Sequence, residues 1–182
     1  KDSGVEWIGM VPEKWNIRRL KNLFCSHASG TWGEEENGNE DDVICIRVAD
    51  FDYDQLRISV GDKTLRNITK SDLYKKRLRK GDLLLEKSGG GEKTIVGRAV
   101  LFEFDYLAVC ANFIEFHRFN NLINSKYGMY LFAALYHSGV IYKNIKQTTG
   151  IQNLDLTGLY SQLVVYPGVE EQNEIVDYLD TK

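Results

Sequence analysis

Short apolar runs recur along the chain and are separated by polar stretches. Five runs of strand length are rich in Val, Ile, Leu and aromatic residues, a composition that favours β-strands. They lie at residues 43–48, 83–86, 95–102, 113–117 and 162–166. The pattern predicts a core built mainly from strands, to which a few helices are added.

Two helices are predicted in the interior of the chain. The first opens at Thr69 or Ser71 as its N-cap, since either hydroxyl can accept a hydrogen bond from the first turn, and it is short and mostly polar. The second begins after Asn124 or Ser125 and carries apolar residues three to four positions apart, which predicts one face packed on the core. Gly139 is expected to interrupt this second helix.

A third helix is predicted at the end of the chain. It begins after the Pro-Gly pair at 167–168, with Glu170 and Glu171 in its first turn, where carboxylates interact favourably with the helix dipole. The pattern is still helical at the last residue, and so short a helix is marginal alone because its nucleation is costly. We therefore divide the chain into a domain at 1–168 and the start of a further helix at 169–182, which suggests a fragment of something longer.

The composition fits one globular domain. A chain of 182 residues with 43% apolar and 12% aromatic residues can fill one core. It has no apolar stretch of about 18 residues and no leader of the secretory type, so we expect a cytoplasmic protein without a membrane partner. Cys25, Cys45 and Cys110 are odd in number and widely spaced, which argues against disulfides and zinc and predicts three buried thiols.

The net charge and the distribution of charge along the chain point to different ligands. The formal net charge of −3 argues against binding of nucleic acid, because neutralisation of phosphates dominates affinity for DNA. Six acidic groups, however, lie within 34–42, which we expect to be a solvated loop, and from Lys63 to Arg98 there are eleven basic residues and four acidic ones. A basic region on an acidic domain is compatible with a DNA-facing surface, although it is also typical of a solvated helix face.

No catalytic centre is evident in the sequence. The glycines at 89–91 are followed by Glu92, whereas a phosphate-binding loop requires Lys directly after Gly. Glu86 and Lys87 are adjacent, so on a strand they point to opposite faces and do not form the carboxylate–lysine pair of a metal-dependent nuclease. The sequence has two prolines, at positions 12 and 167. It therefore cannot contain the proline-containing loops of DNA methyltransferases. The sequence therefore predicts no catalytic residue, no metal site and no cofactor.

Two polar segments carry side chains suited to DNA, although both can equally be ordinary loops. In 87–93, two lysines and a hydroxyl flank glycines that let the backbone approach a phosphate closely. In 147–153, amides that can read adenine and Thr methyls that can touch thymine surround Gly150. We expect the lysines to contact phosphates and the amides to read bases. The candidate DNA-binding residues are Lys87, Ser88, Gly89, Gly90, Gly91, Lys93, Arg98, Lys146, Gln147, Thr148, Thr149, Gly150, Gln152 and Asn153.

Four stretches, in order, resemble one known family. Residues 4–15 (GVEWIGMVPEKW) are similar to the opening of a target-recognition domain in the specificity subunits of type I restriction-modification enzymes. Residues 80–85 (KGDLLL) resemble that family's central strand, and 148–154 (TTGIQNL) resemble its loop before the last strand. Residues 165–182 resemble its Pro-x-x-x-Glu-Gln-x-x-Ile-x-x-x-Leu junction. The resemblance covers essentially the whole chain, and four collinear motifs make it specific.

The resemblance implies an α+β fold, with a twisted, mainly antiparallel β-sheet, flanking helices and the start of a long C-terminal spacer helix. It implies a non-catalytic domain that reads one half of a split target in double-stranded DNA and directs methyltransferase (modification) subunits and a restriction subunit to it. Because such a subunit normally holds two of these domains, a second copy or a second target-recognition domain is a further expected partner, and the chain is either an excised half or a natural half-subunit. Docking onto other subunits would use Gln172, Ile175, Val176 and Leu179.

Two other interpretations stay open at this point. The chain can be part of a restriction enzyme whose domains are fused, in which case these residues do the same work. It can instead be a protein-interaction module that docks through its C-terminal helix without reading DNA. Affinity for DNA is expected to fall steeply with salt, whereas binding of a protein partner need show no such dependence.

Overall fold

The chain forms an α+β fold in which short strands outnumber helices. The computed structural model describes residues 1–59, 61–90, 94–148 and 150–181. Its α-helices are α1 (Lys70–Lys76), α2 (Ser125–His137), α3 (Leu156–Ser161) and α4 (Val169–Leu179). Its strands are β1 (Asn16–Arg19), β2 (Phe24–Ser29), β3 (Glu34–Glu35), β4 (Asp42–Ile46), β5 (Phe51–Asp52), β6 (Arg57–Ile58), β7 (Thr64–Asn67), β8 (Asp82–Glu86), β9 (Ser88–Gly89), β10 (Ala99–Phe102), β11 (Ala108–Cys110), β12 (Ile114–Phe119), β13 (Ile145–Thr148), β14 (Ile151–Leu154) and β15 (Leu163–Tyr166).

Two sheets pack face to face at the centre. The larger has the strand order β2-β12-β8-β10-β6-β5 and the smaller the order β11-β4-β7-β3. Side chains alternate across a strand, so on β4 Ile46 packs towards the larger sheet, whereas Val43 and Cys45 face Ile68 and α1. The opposite face of the larger sheet is covered by α2, through residues such as Leu135. The layers therefore run from α2 through both sheets to α1.

Two small sheets complete the fold. β1 pairs with β15, and the segment before β1 packs Val5 and Val11 against Val165. The strands β13, β14 and β9 form a separate three-stranded sheet. None of the helices in the described residues is long and apolar enough to cross a membrane.

Most strand pairs are antiparallel, as expected. Among the described residues, only β6 with β10 and β4 with β11 pair in parallel. The predicted α+β class is thus confirmed, but the strands are divided among four sheets rather than placed in one. The smaller sheet covers one face of β8 and α2 covers the other, so all five of its residues are buried.

All five predicted strands and all three predicted helices occur in place. The fourth strand begins at Ala99 rather than at 95, because residues 95–98 form a loop. Thr69 caps α1 by accepting from the Asp72 amide, and the Asn124 side chain caps α2. Gly139 follows the end of α2 with a φ of 77°, a left-handed conformation that suits glycine.

Several elements escaped the sequence analysis because their residues are polar. β2 (FCSHAS) is an edge strand with a largely exposed pattern, and α3 is a short helix without an apolar stripe. The acidic segment is not wholly a loop, since β3 pairs with β7. The prediction of three buried thiols is wrong for Cys25, which is exposed because it lies on the edge strand β2.

Candidate nucleic-acid interface

The two polar segments meet in one three-stranded sheet, although about sixty residues separate them along the chain. β13 and β14 form a hairpin, and Gly150 lies between them with a φ of 88°. On its other side β14 pairs with β9, so that Asn153 lies opposite Ser88. We name these three strands the hairpin sheet. The interpretation of both segments as loops is wrong in this respect, because their backbones pair with each other.

One face of the hairpin sheet carries a row of polar side chains. Residues directly opposite on paired strands share a face, and the register places Lys146 opposite Asn153 and Asn153 opposite Ser88. The Ser88 hydroxyl donates to Asn153 Oδ1 over 2.7 Å. Lys146 Nζ lies 2.7 Å from Asp155 Oδ2, and this lysine holds the pKa of Asp155 below its usual value. The row therefore presents a hydroxyl, an amide and a paired cation.

Gln152 faces the other way and is buried. Its Oε1 accepts a hydrogen bond from the backbone amide of Val96 over 3.1 Å. A side chain at Gly90 would meet the same oxygen at 2.8 Å, so the close approach requires glycine there. Gln152 therefore joins the hairpin to the loop before β10, and the expectation that it reads a base is corrected.

Lys87 is also turned inward, because it precedes Ser88 and adjacent residues of a strand face opposite sides. Its ammonium donates to Ser29 Oγ over 2.6 Å and lies 3.6 Å from Glu115 Oε2. The side chain is 20% exposed. The expectation that Lys87 is a free charge for a phosphate is therefore corrected, since it already neutralises a buried carboxylate.

A buried polar cluster on β12 surrounds that carboxylate. Tyr160 donates to Glu115 Oε1 over 2.7 Å, and His27 Nδ1 lies 2.9 Å from the same oxygen. Burial opposes ionisation of Glu115, but these hydrogen bonds and the charge of Lys87 hold its pKa below the usual value. Because the Tyr160 proton goes to Glu115, His117 Nε2, 2.6 Å away, must donate to the Tyr160 oxygen. Burial lowers the pKa of His117 to about 3, so this imidazole is neutral.

Arg98 lies in the loop that leads to β10 and away from the polar row. Its guanidinium stacks 4.5 Å from the Tyr53 ring and 5.4 Å from that of Tyr136, and it donates to the Tyr136 hydroxyl. Tyr53 in turn donates to Glu86, whose pKa is raised by burial. Arg98 thus serves the packing between α2 and the larger sheet in this structure.

Some of the other sequence candidates lie within the described residues and some lie outside them. Gln147 and Gly150 are exposed in the hairpin, and Gly89 pairs with Gln152 through its backbone. Of Thr148 only the backbone is described, as the last residue of β13. Gly91, Lys93 and Thr149 lie outside the described residues.

Two exposed apolar side chains next to the polar row escaped the sequence analysis. Phe113 is 51% exposed, and its carbonyl oxygen accepts from the amides of Lys87 and Ser88. Ile151 is 52% exposed and lies two positions before Asn153 on β14, so it shares the face of the polar row. Phe113 belonged to the predicted strand at 113–117, and Ile151 lay inside the polar segment 147–153. No sequence signal marks them, because exposure at a strand end depends on the neighbouring sheet.

The expected docking residues of α4 contact their own domain instead. Gln172 is fully buried: its Nε2 donates to the carbonyls of Leu122 and Pro167, and its Oε1 accepts from the Asn124 amide. Val176 belongs to the main core cluster, and Ile175 packs against it. The prediction that Gln172 and Val176 dock onto other subunits is therefore wrong, because α2 already covers that side of α4. Leu179, at the end of α4, is partly exposed.

The fold and this face define an α+β binding domain, in which a polar three-stranded sheet stands at one end of a buried two-sheet core. Among the described residues, no group of three or more His, Cys, Asp or Glu side chains comes together as metal ligands. Residues 12–181 match the family described as Type I restriction modification DNA specificity domain, and the chain belongs to that family. This membership confirms the predicted function as a DNA-recognition domain of a specificity subunit without a catalytic role.

Three solved structures share the fold. The HsdS subunit from Thermoanaerobacter tengcongensis matches 94% of this chain with a TM-score of 0.67 and 15% identity. The type I restriction-modification S subunit from M. genitalium matches 97% with a TM-score of 0.57 and 16% identity. A chain from a study of complex assembly and conformational transition of the type I R-M system matches 96% with a TM-score of 0.63 and 16% identity.

This chain covers 42%, 41% and 39% of those three chains, so it spans about two fifths of their length. The likeness in structure at such low identity shows the fold alone. No curated protein matches the sequence significantly.

Proposed function

We propose that this domain reads one half of a bipartite target in double-stranded DNA and that the exposed side chains of the hairpin sheet make the base contacts. The observation that supports this most is the assembled row of Ser88, Asn153 and Lys146, which two distant segments build together. The amide of Asn153 can pair with adenine, and the Ser88 hydroxyl fixes its orientation, whereas Gln147 lies opposite Gln152 and so on the other face of the sheet. Ile151 and Phe113 supply apolar surface of the kind that contacts a thymine methyl.

The proposal extends to the partners of the domain. In a type I complex it would direct methyltransferase (modification) subunits and a restriction subunit to its half-site, next to a second target-recognition domain. We also propose that residues 1–168 form the recognition domain proper and that α4 begins a spacer helix. The alternative of a protein-interaction module docking through α4 is not favoured, because the apolar side of α4 is covered by α2.

The readout is tested in two steps. Selection of bound duplexes from a random pool by the 182-residue chain first gives the preferred sequence. Asn153→Ala is then expected to lose roughly 1–3 kcal/mol of discrimination for that sequence, because it removes a paired hydrogen bond to a base edge. Affinity for a scrambled duplex should stay nearly unchanged, since an uncharged amide contributes little to phosphate binding.

Asn16→Ala is the matched control, because Asn16 is an exposed asparagine on β1 in another sheet. It should discriminate as the unchanged chain does. Equal losses on both duplexes, or no loss, for Asn153→Ala would show that the hairpin sheet is structural. A chain that selects no sequence and whose binding does not depend on salt would count against DNA recognition itself.

A further inference from the structure

A second polar surface lies at the other end of β8 from the hairpin sheet. The strand runs from Asp82 to Glu86, and the hairpin sheet follows its C-terminal end. Before its N-terminal end, a groove of about 770 Å³ opens between α1 and the turn that joins β10 to β11. Its lining includes Lys75, Arg77 and Arg79, and we name it the basic groove.

The charge of the basic groove is strongly positive. Six basic residues and one acidic residue lie between positions 70 and 80. At the edges, Lys70 lies 3.7 Å from Glu40 and Lys80 lies 3.1 Å from Asp105, but such exposed pairs contribute little. Within the described part of the chain, the ammonium of Lys75 and the guanidinium groups of Arg77 and Arg79 make no ion pair, and all three residues are exposed. These three side chains are available to an anionic ligand.

The floor of the groove is rigid. Arg118 donates to both carboxylate oxygens of the fully buried Asp82, over 2.8 and 2.7 Å. Asp82 also accepts from the backbone amide of Arg79 over 2.7 Å, and Arg118 donates to the Arg77 carbonyl. These hydrogen bonds fix the backbone of Arg77 and Arg79, whose side chains are free. Tyr74, 90% exposed, adds a hydroxyl to the lining.

The hairpin sheet alone is a poor source of affinity for DNA. Neutralisation of phosphates supplies much of that affinity, and it requires cations. On the polar row of the hairpin sheet, within the described residues, Lys146 is the one basic side chain, and it is already paired with Asp155. A DNA-binding domain built in this way needs a second, cationic surface.

We propose that the basic groove binds the sugar–phosphate backbone of duplex DNA. This inference rests on the proposed function. Arginine forks match phosphate oxygens in two-point hydrogen bonds, and tyrosine hydroxyls also donate to phosphates. Three exposed cations that line one groove can neutralise several phosphates of a polyanion. The surface carries no base readout, so it sets affinity while the hairpin sheet sets specificity.

The test measures the salt dependence of DNA binding. The 182-residue chain and a variant with Lys75→Ala, Arg77→Ala and Arg79→Ala are titrated with a fluorescent duplex of mixed sequence at several salt concentrations. The slope of log affinity against log salt should become shallower by roughly 0.9 for each lost contact, so by about 2.7 in all. Affinity should fall alike on preferred and scrambled duplexes. If the triple variant does not fold, Arg77→Ala alone should lower the slope by about one.

The matched control replaces the exposed Lys14, Lys21 and Lys143 by Ala, which removes the same charge outside the basic groove. Its slope should stay close to that of the unchanged chain. An equal loss in the control would show that only total charge matters and would overturn the proposal. A second result would also overturn it: the groove variant keeps the slope of the unchanged chain but no longer binds methyltransferase subunits. This result would mark the groove as a protein interface. If the unchanged chain itself does not bind DNA, the proposed function fails rather than the placement of the groove.

Discussion

Glu115 and His117 lie two positions apart on β12 and therefore face the same buried side of the larger sheet. Tyr160, delivered by α3, joins them, and Lys87 and His27 complete the cluster. Among the described residues, the His117 Nδ1 atom is buried without a hydrogen-bond partner. A buried neutral imidazole beside an ionised carboxylate makes the stability of this region depend on pH.

We predict that acid destabilises the fold through His117. Its folded pKa of about 3 lies below the ordinary value of 6.5, so between these values the unfolded chain binds a proton that the folded chain does not. The free energy of unfolding should therefore fall as pH drops below 6.5, by up to about 1.4 kcal/mol per pH unit. Glu115, whose folded pKa is depressed, adds a further loss below its ordinary value of 4.5.

Urea unfolding at a series of pH values measures this dependence. His117→Gln keeps a donor for Tyr160 and removes the titrating group, so its slope between pH 6.5 and 4.5 should be flatter. His27→Gln serves as the control for the partly exposed histidine of the same cluster. Identical slopes in His117→Gln and the unchanged chain would show that His117 is not the source.

At the scale of elements, α4 differs most from its expected role. The sequence shows an apolar side and invites a docking interpretation, but that side is packed against α2, and Gln172 ties the start of α4 to the residues around the N-cap of α2. Lys126 and Tyr130 of α2 also bind Asp180, just beyond α4. Along its described length, α4 is thus packed against the domain.

We predict that Gln172→Ala destabilises the domain by roughly 1–3 kcal/mol, because it leaves buried backbone groups without partners. The amide serves two carbonyls and one N–H, each within 2.9 Å. Glu174→Ala, an exposed position on the same helix, is the control and should change stability by less than about 0.5 kcal/mol. Chemical denaturation measures both variants. A Gln172→Ala variant as stable as the control would mean that α4 detaches in solution and is free to dock elsewhere.

For the molecule as a whole, two polar surfaces stand at opposite ends of the central strand β8. The hairpin sheet offers an amide and a hydroxyl, and the basic groove offers free cations. Between them lies a core closed on both faces by sheet and helix. The arrangement suits a module that recognises and positions rather than one that carries out chemistry.

We predict that the purified chain alone performs no reaction on DNA, since recognition is the role of its family. Incubated with magnesium, ATP and S-adenosylmethionine, it should leave a supercoiled plasmid uncut and unmethylated and should release no phosphate. Agarose gels, radiolabelled methyl transfer and a phosphate assay provide the three measurements. Cleavage or methyl transfer that persists through purification to homogeneity would contradict the assignment.

The sequence by itself determined the local elements and the family. Strands such as β8 and β12 and helix α2 were predictable because short apolar runs and three-to-four spacing are patterns within a few residues. The caps at Thr69 and Asn124 were predictable for the same local reason. Collinear motifs identified the family because they depend on the order of residues alone.

Only the tertiary structure decided which candidate side chains reach the surface. Lys87 and Ser88 are neighbours in sequence, yet one is ion-paired inside and the other is part of the polar row. Gln152 and Asn153 divide in the same way. Period-two alternation makes neighbours differ, but which of the two faces is buried depends on pairing between segments sixty residues apart, and no local pattern specifies that pairing.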